Sequence, residues 1–169
     1  MEVNKINVKN IKKKALLKII SNKIEELKST GTRLNTRTLE MKDVYKPLNL
    51  ENGIEWTEDF DGIIYIKEKK LYINFKFICG SGGAQTRTIR EVYHFIVTQY
   101  KYVKKNYNNK IFFANIIDGD QGYKFIYENK EKKKSSLLDL SKYYPDNIQK
   151  YIYIGDLYNF KKWYDEISK

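Results

Sequence analysis

The chain has very little of the residues that build disulfides, zinc sites and histidine-based active sites. Its 169 residues include one cysteine, Cys79, and one histidine, His94. A single cysteine excludes a disulfide framework and a cysteine-based zinc site within the chain. A single histidine excludes mechanisms that need a histidine pair. Chemistry must therefore be sought among the carboxylates, amides and basic side chains.

Long apolar runs are missing as well. No segment approaches the roughly 20 consecutive apolar residues of a membrane-spanning helix, and the chain does not open with the apolar stretch of a secretory signal. We therefore expect a soluble, intracellular and cytoplasmic protein with no membrane partner. Hydrophobic residues still make up 41% of the chain, which is enough for a folded core. The length predicts a single domain over residues 1–169.

Acidic residues are in deficit. The chain has 21 Asp and Glu residues against 32 Lys and Arg residues, and its formal net charge is +11. A surface this basic predicts an anionic partner, most often nucleic acid. The alternative is an AT-rich genome, whose codons favour Lys, Asn, Ile and Tyr whatever the protein binds.

The hydrophobic pattern predicts a mixed α/β fold with a small mixed sheet flanked by helices. Helices are predicted over residues 8–30, 38–45, 88–104 and 158–167, and strands over residues 63–67, 71–78, 111–117 and 151–154. The third helix is expected to bury Ile89, Val92, Tyr93, Ile96, Tyr100 and Val103. The chain is thus expected to have a helical part over 1–50, a core over 54–120, and a final strand and helix within 121–169.

The most informative segment joins an acidic turn, Glu58–Gly62, to a β-hairpin that turns at Glu68–Lys70. Asn74 and Lys76 are two residues apart in the second strand and share one face. With Asp61, they give an acid, an amide and an ammonium. Metal-assisted phosphodiester hydrolysis uses such groups, because a carboxylate binds Mg²⁺ and a lysine stabilises the developing negative charge. The pattern alone also fits an ordinary hairpin, since Asp and Lys are common.

A glycine-rich segment, Cys79–Arg87, follows the hairpin and is predicted to be a loop. It is not a Walker loop, because no Gly-Lys-Ser/Thr follows, and the acidic pair of a nucleotidyltransferase is missing downstream. The segment is either a flexible connector or a loop that contacts DNA. The side chains suited to bases and phosphates are Gln85, Thr86, Arg87 and, early in the next helix, Arg90.

Four segments together resemble the catalytic core of type II restriction endonucleases, which belong to the PD-(D/E)xK nuclease superfamily. They are Ile54–Gly62, Asn74–Phe77, Gly82–Thr88 and Arg90–Tyr93, within about residues 38–120. The resemblance implies a restriction-endonuclease-like core and a Mg²⁺-dependent endonuclease, with Mn²⁺ as a possible substitute, that cleaves double-stranded DNA at specific sites. It implies a homodimer, since cutting two strands needs two active sites. By the resemblance, Asp61 is the metal-binding aspartate and Lys76 the catalytic lysine.

The sequence departs from the family pattern at two positions. Phe60 replaces the proline, which supplies no ligand. Asn74 replaces the second acid, and a neutral amide can offer an oxygen to Mg²⁺ but no charge. Asn74 is then a weaker ligand, or Glu91 or Glu58 supplies the missing acid, or the site is inactive. The alternatives to a restriction enzyme are a non-catalytic DNA-binding protein on a degraded nuclease fold and a single-strand or repair nuclease.

Overall fold

A computed structural model of the chain describes Lys18 and residues 31–42, 56–80, 82–107, 110–127 and 137–169. The helix predicted over 8–30 lies outside the described residues except for Lys18, which is helical. Among the described residues, no helix is both long enough and apolar enough to cross a membrane.

Seven strands and five helical segments make up this part of the chain. The strands are β1 (Arg33–Asn35), β2 (Met41–Lys42), β3 (Thr57–Asp59), β4 (Gly62–Ile66), β5 (Lys69–Phe77), β6 (Ile111–Asp118) and β7 (Ile152–Gly155). The α-helices are α1 (Gly83–Lys105), α2 (Asp120–Ile126), α3 (Asp146–Gln149) and α4 (Leu157–Ile167), and a 3₁₀ helix covers Leu137–Tyr143. The predicted strand over 111–117 and the predicted terminal helix are confirmed, while α2, α3 and the 3₁₀ helix were not predicted.

The main sheet has the order β4-β5-β6-β7 and is mixed. β4 and β5 form an antiparallel hairpin, whereas β6 runs parallel to β5 and β7 runs parallel to β6. The hairpin turns at Lys67–Glu68 rather than at the predicted Glu68–Lys70, and Lys67 adopts a φ of 53°. Lys69 is therefore already paired, opposite Ile66. The predicted mixed α/β fold, with a small mixed sheet and flanking helices, is confirmed.

Two neighbouring phenylalanines show how the helices cover this sheet. Phe112 and Phe113 are adjacent in β6 and therefore point to opposite faces. Phe113 meets Tyr102 of α1, with ring centroids 5.6 Å apart, while Phe112 lies 6.4 Å from Trp163 of α4. Helices α1 and α4 thus lie on opposite faces of the sheet. Both rings are buried, and the core continues on each side of the sheet.

Helix α1 begins five residues before the predicted start. Gly82 has a φ of 150° and ends the irregular stretch, and Ala84, Gln85 and Arg87 are good helix formers. Gln85, Thr86 and Arg87 therefore lie on the first turns of a helix rather than on a loop. The predicted buried face is wrong at Tyr93, which is 42% exposed.

A second, three-stranded sheet has the order β2-β1-β3. Two predictions are wrong here. Met41–Lys42 is a strand rather than part of a helix, and Glu58 and Asp59 belong to β3 rather than to a turn. The Asn35 side chain accepts hydrogen bonds from the main-chain N–H groups of Arg37 and Thr38, each at 2.9 Å, and so builds the turn after β1. Residues 43–45 of the predicted helix lie outside the described residues.

Candidate functional site

Asp61 connects the small sheet to the main sheet and is tied to the strand that carries Asn74. Its main-chain N–H donates to the Ile73 carbonyl at 2.7 Å, and its carboxylate Oδ2 accepts from the Phe75 N–H at 2.7 Å. The carboxylate thus accepts the hydrogen bond that a main-chain carbonyl would accept if the antiparallel ladder continued. Asp61 is therefore bonded to both residues that flank Asn74. A carboxylate has about four acceptor positions, which is more than this one hydrogen bond uses.

Asn74 lies inside the protein. Its side chain is only 1% exposed, because α1 covers the face of β5 to which it points. Its Nδ2 donates to the Asn115 Oδ1 at 3.2 Å. Its own Oδ1 is buried and has no hydrogen-bond partner among the described residues. The strand predicted to be half-exposed or to line a cleft is thus covered at this position, and one amide oxygen remains unused.

Two further buried amides complete what we call the amide network, which consists of Asn74, Gln99 and Asn115. Gln99 of α1 donates to the Asn115 Oδ1 at 3.0 Å, and the Asn115 Nδ2 donates to the Gln99 Oε1 at 2.6 Å. The same Nδ2 also donates to the Tyr153 carbonyl at 3.3 Å. Neither Gln99 nor Asn115 was predicted as a site residue. The sequence does contain a sign of both: each is an amide residue at an inward-facing position that is otherwise apolar, one in a helix and one in a strand.

Lys76 lies two residues beyond Asn74 on the same face of β5 and is half-buried. Its charge is felt by Glu58 of β3, whose pKa is raised above its ordinary value. Partial burial of the carboxylate is the main cause, Lys76 opposes it, and the charges of Glu91 and Asp59 raise the pKa further. The small sheet, β5 and α1 therefore bring Glu58, Lys76 and Glu91 within electrostatic reach of one another.

The available side chains suit a magnesium site with few protein ligands rather than a metal site in which the protein supplies every ligand. Within the part of the chain that the structure describes, no three His, Cys, Asp or Glu side chains are grouped to hold a metal. Mg²⁺ usually keeps several waters and takes only one or two protein carboxylates. Two separate groups of side chains offer such ligands: Asp61 with Asn74 on the neighbouring strand, and Glu58 with Glu91 around Lys76.

The four side chains predicted to contact DNA separate into two groups. Gln85 donates to the Cys79 carbonyl at 3.0 Å, so it ties the start of α1 to the end of β5. Arg87 is exposed on the first turns of the same helix. Thr86 and Arg90 line a cleft of about 310 Å³ between α1, α2 and the 3₁₀ helix.

Exposed tyrosines line this same cleft. Tyr93 is 42% exposed and Tyr143 is 80% exposed, and both contribute to its walls beside Arg90. Aromatic faces and guanidinium groups are the side chains on which unpaired bases stack. The cleft thus combines one guanidinium group with two aromatic faces, and Asp139 adds a carboxylate to its wall.

Replacing Glu58 with glutamine should raise the melting temperature slightly at pH 7 and leave it unchanged near pH 4. The folded-state pKa of Glu58 is raised, so its protonated form contributes stability that is lost as the pH rises through that pKa. Glutamine resembles the protonated form at every pH. Glu58 as a whole is exposed and only its carboxylate is partly buried, so solvent screens the effect and we expect a gain below about 1 kcal/mol. Melting curves of wild type and variant across this pH range check it.

Glu68 is the matched control for this measurement. Its pKa is lowered, first by a hydrogen bond from Lys110 and then by the charge of that lysine. Glu68→Gln should therefore give no gain at pH 7. A gain of equal size in both variants would show that removing any negative charge has the same effect and would contradict the environment described for Glu58.

Comparison of the chain with protein-family models, with curated proteins and with solved structures finds no match. Function must therefore be inferred from the side chains that the fold brings together. These are Asp61 beside Asn74, and Lys76 within reach of Glu58 and Glu91.

Proposed function

We propose that the protein is a Mg²⁺-dependent endonuclease that hydrolyses phosphodiester bonds of double-stranded DNA. The observation that carries this proposal is that Asp61 is hydrogen-bonded to both neighbours of Asn74, while Lys76 shares a face with Asn74. A carboxylate, an amide and an ammonium group are thus carried by neighbouring positions around the last residues of β5. Such a set can bind a cation and a phosphate at the same place, because it offers both signs of charge.

Each side chain has a distinct role in this proposal. Asp61 and Asn74 would hold the metal, with Glu91 or Glu58 supplying a further carboxylate. When bound, Mg²⁺ lowers the pKa of its water and polarises the phosphate. Lys76 orients the attacking water and stabilises negative charge on the phosphate oxygens. Asp61 is held by the Phe75 N–H, so its position is set before any ligand arrives.

Double-stranded DNA is proposed as the substrate for two reasons, the positive net charge of the chain and the polar and basic side chains at the start of α1. The net charge of +11 favours a polyanion, and Thr86, Arg87 and Arg90 lie on the first two turns of this helix. The order of acid, hairpin, lysine, helix and parallel strand is also the order that the resemblance to type II restriction enzymes implies. We therefore propose site-specific cleavage by a homodimer, with Mn²⁺ as a substitute metal.

Replacing Lys76 with methionine should slow cleavage about a hundredfold, as the loss of a group that stabilises transition-state charge does. The measurement is the nicking and linearisation of supercoiled plasmid with Mg²⁺ or Mn²⁺, and with EDTA as the blank. Lys70→Met is the matched control, since Lys70 is an exposed lysine of the same strand. It should cleave at the wild-type rate. No metal-dependent cleavage by wild type would reject the enzyme, and a wild-type rate for Lys76→Met would reject the role of Lys76.

A non-catalytic DNA-binding protein is the second candidate. The observation that favours it is Asn74, a neutral and buried group where the resembling nucleases carry an acid. This candidate predicts that the protein shifts DNA in a mobility-shift assay and that its affinity for DNA falls steeply with salt. It also predicts that the DNA is not cut with either metal. Cleavage without a fixed site would instead indicate a nuclease of the single-strand or repair type.

A further inference from the structure

The amide network has a direction, and a main-chain carbonyl sets it. The Tyr153 carbonyl can only accept a hydrogen bond, so the Asn115 side chain must turn its Nδ2 toward it, at 3.3 Å. The Asn115 Oδ1 then points away from Tyr153 and accepts from Asn74 at 3.2 Å. Because the NH₂ group of Asn74 is used in this way, the atom left over is its Oδ1.

Gln99 locks this orientation. Its amide forms two hydrogen bonds with the amide of Asn115, one in each direction, at 3.0 and 2.6 Å. Turning Asn115 over would place its oxygen against the Tyr153 carbonyl and leave buried acceptors unpaired, at a cost of about 1–3 kcal/mol each. The orientation of Asn74 is thus determined by groups on α1, β6 and β7.

An unpaired buried acceptor is rare in folded proteins, because it costs free energy that a bonded one does not. Asn74 is only 1% exposed and its Oδ1 is closed to bulk water, so a partner for this oxygen must be a single small ion or water admitted by a slight movement of its neighbours. The Asp61 carboxylate is bonded to the next residue of the strand, Phe75. One step beyond the Gly62–Ile73 pair, the register places Asp61 opposite Asn74. An amide oxygen on a strand that faces an aspartate suits a cation, which takes oxygen ligands, rather than a second hydrogen-bond acceptor.

We propose that Gln99 and Asn115 are positioning residues that present the Asn74 Oδ1 as a preset ligand atom for a divalent cation. This inference rests on the proposed metal-dependent function and extends it to two side chains that touch neither metal nor DNA. Partners of this kind fix the orientation of metal ligands, and their loss typically weakens metal binding about 10–100-fold.

The test is Mn²⁺ binding without DNA, measured from the electron paramagnetic resonance signal of free Mn²⁺ during titration. Gln99→Met keeps the size of the side chain and removes both hydrogen bonds, so it should bind Mn²⁺ about tenfold more weakly. Thr98→Val is the matched control, since it removes a neighbouring hydroxyl that bonds only within α1, and it should bind like wild type.

Several outcomes would overturn the inference. They are a folded Gln99→Met that binds Mn²⁺ like wild type, a Thr98→Val that loses as much affinity, and a wild type that binds no Mn²⁺. If Gln99→Met does not fold, Asn74→Leu takes its place, and unchanged Mn²⁺ affinity in that variant overturns the inference. A wild type that shows the expected binding pattern but cuts no DNA supports the inference and rejects the proposed nuclease.

Discussion

Replacing Asp61 with asparagine should lower Mg²⁺-dependent cleavage about a thousandfold and leave the protein folded. A bound metal stabilises transition-state charge by several kcal/mol, and about 4 kcal/mol corresponds to this factor. The asparagine oxygen can still accept from the Phe75 N–H, so the hydrogen bond that holds the start of β4 is kept. Asn74 is neutral, so it supplies no charge in place of the one that is lost. Plasmid cleavage rates and melting curves check the two halves of the prediction.

Two further variants make this result specific. Asp61→Ala should lose both cleavage and melting temperature, because it also removes the acceptor for the Phe75 N–H. Asp59→Asn should cleave like wild type, since Asp59 is exposed and forms an ion pair with Arg33 at 2.7 Å. If Asp61→Asn kept the wild-type rate, Asp61 would not be a metal ligand. The acids Glu58 and Glu91 would then be the remaining candidates.

Replacing Asn74 with aspartate, which restores the acid of the resembling family, should destabilise the protein by about 3–5 kcal/mol, the usual cost of an unpaired buried charge. The carboxylate would lose the donor that now serves the Asn115 Oδ1 and would face that oxygen instead. The amide network cannot turn over to relieve the clash, because the Tyr153 carbonyl holds the Asn115 Nδ2. Urea unfolding at pH 7 measures the loss.

Asn74→Leu is the control for this substitution. It introduces no charge, and Gln99 still donates to the Asn115 Oδ1, so it should cost less than Asn74→Asp. Mg²⁺ should recover part of the stability of the Asn74→Asp protein, because a cation pairs the new charge. An Asn74→Asp protein as stable as wild type without metal would contradict the fixed direction of the amide network.

Much of the main sheet could be predicted because its signals are local. The alternation in 71–77 and the apolar run of 111–117 each indicate a strand without reference to other parts of the chain. The small sheet could not be predicted in this way. Its strands have two or three residues, and the contact that joins β1 to β3, between Arg33 and Asp59, spans 26 residues.

The members of the candidate site come from the sequence and their roles stay predictions, whereas their surroundings could not be predicted. Asp61, Asn74 and Lys76 follow from one hairpin, yet the burial of Asn74 depends on Gln99 and Asn115, which are 25 and 41 positions away. The start of α1 was placed too late because Gly83 is unfavourable in a helix by about 1 kcal/mol relative to Ala, a local cost that the long helix overcomes.

The candidate site draws on both sheets, and Phe60 is the joint between them. Phe60 follows β3, precedes Asp61, and is anchored in the core by Tyr72, Phe95 and Phe113, at centroid distances of 5.0, 5.0 and 5.5 Å. Leu34 of β1, the register partner of Glu58, is fully buried in the same core and holds the small sheet at a second point. The distance between Glu58 and Lys76 is therefore set by two apolar side chains, Phe60 and Leu34, that themselves offer nothing to a metal or to DNA.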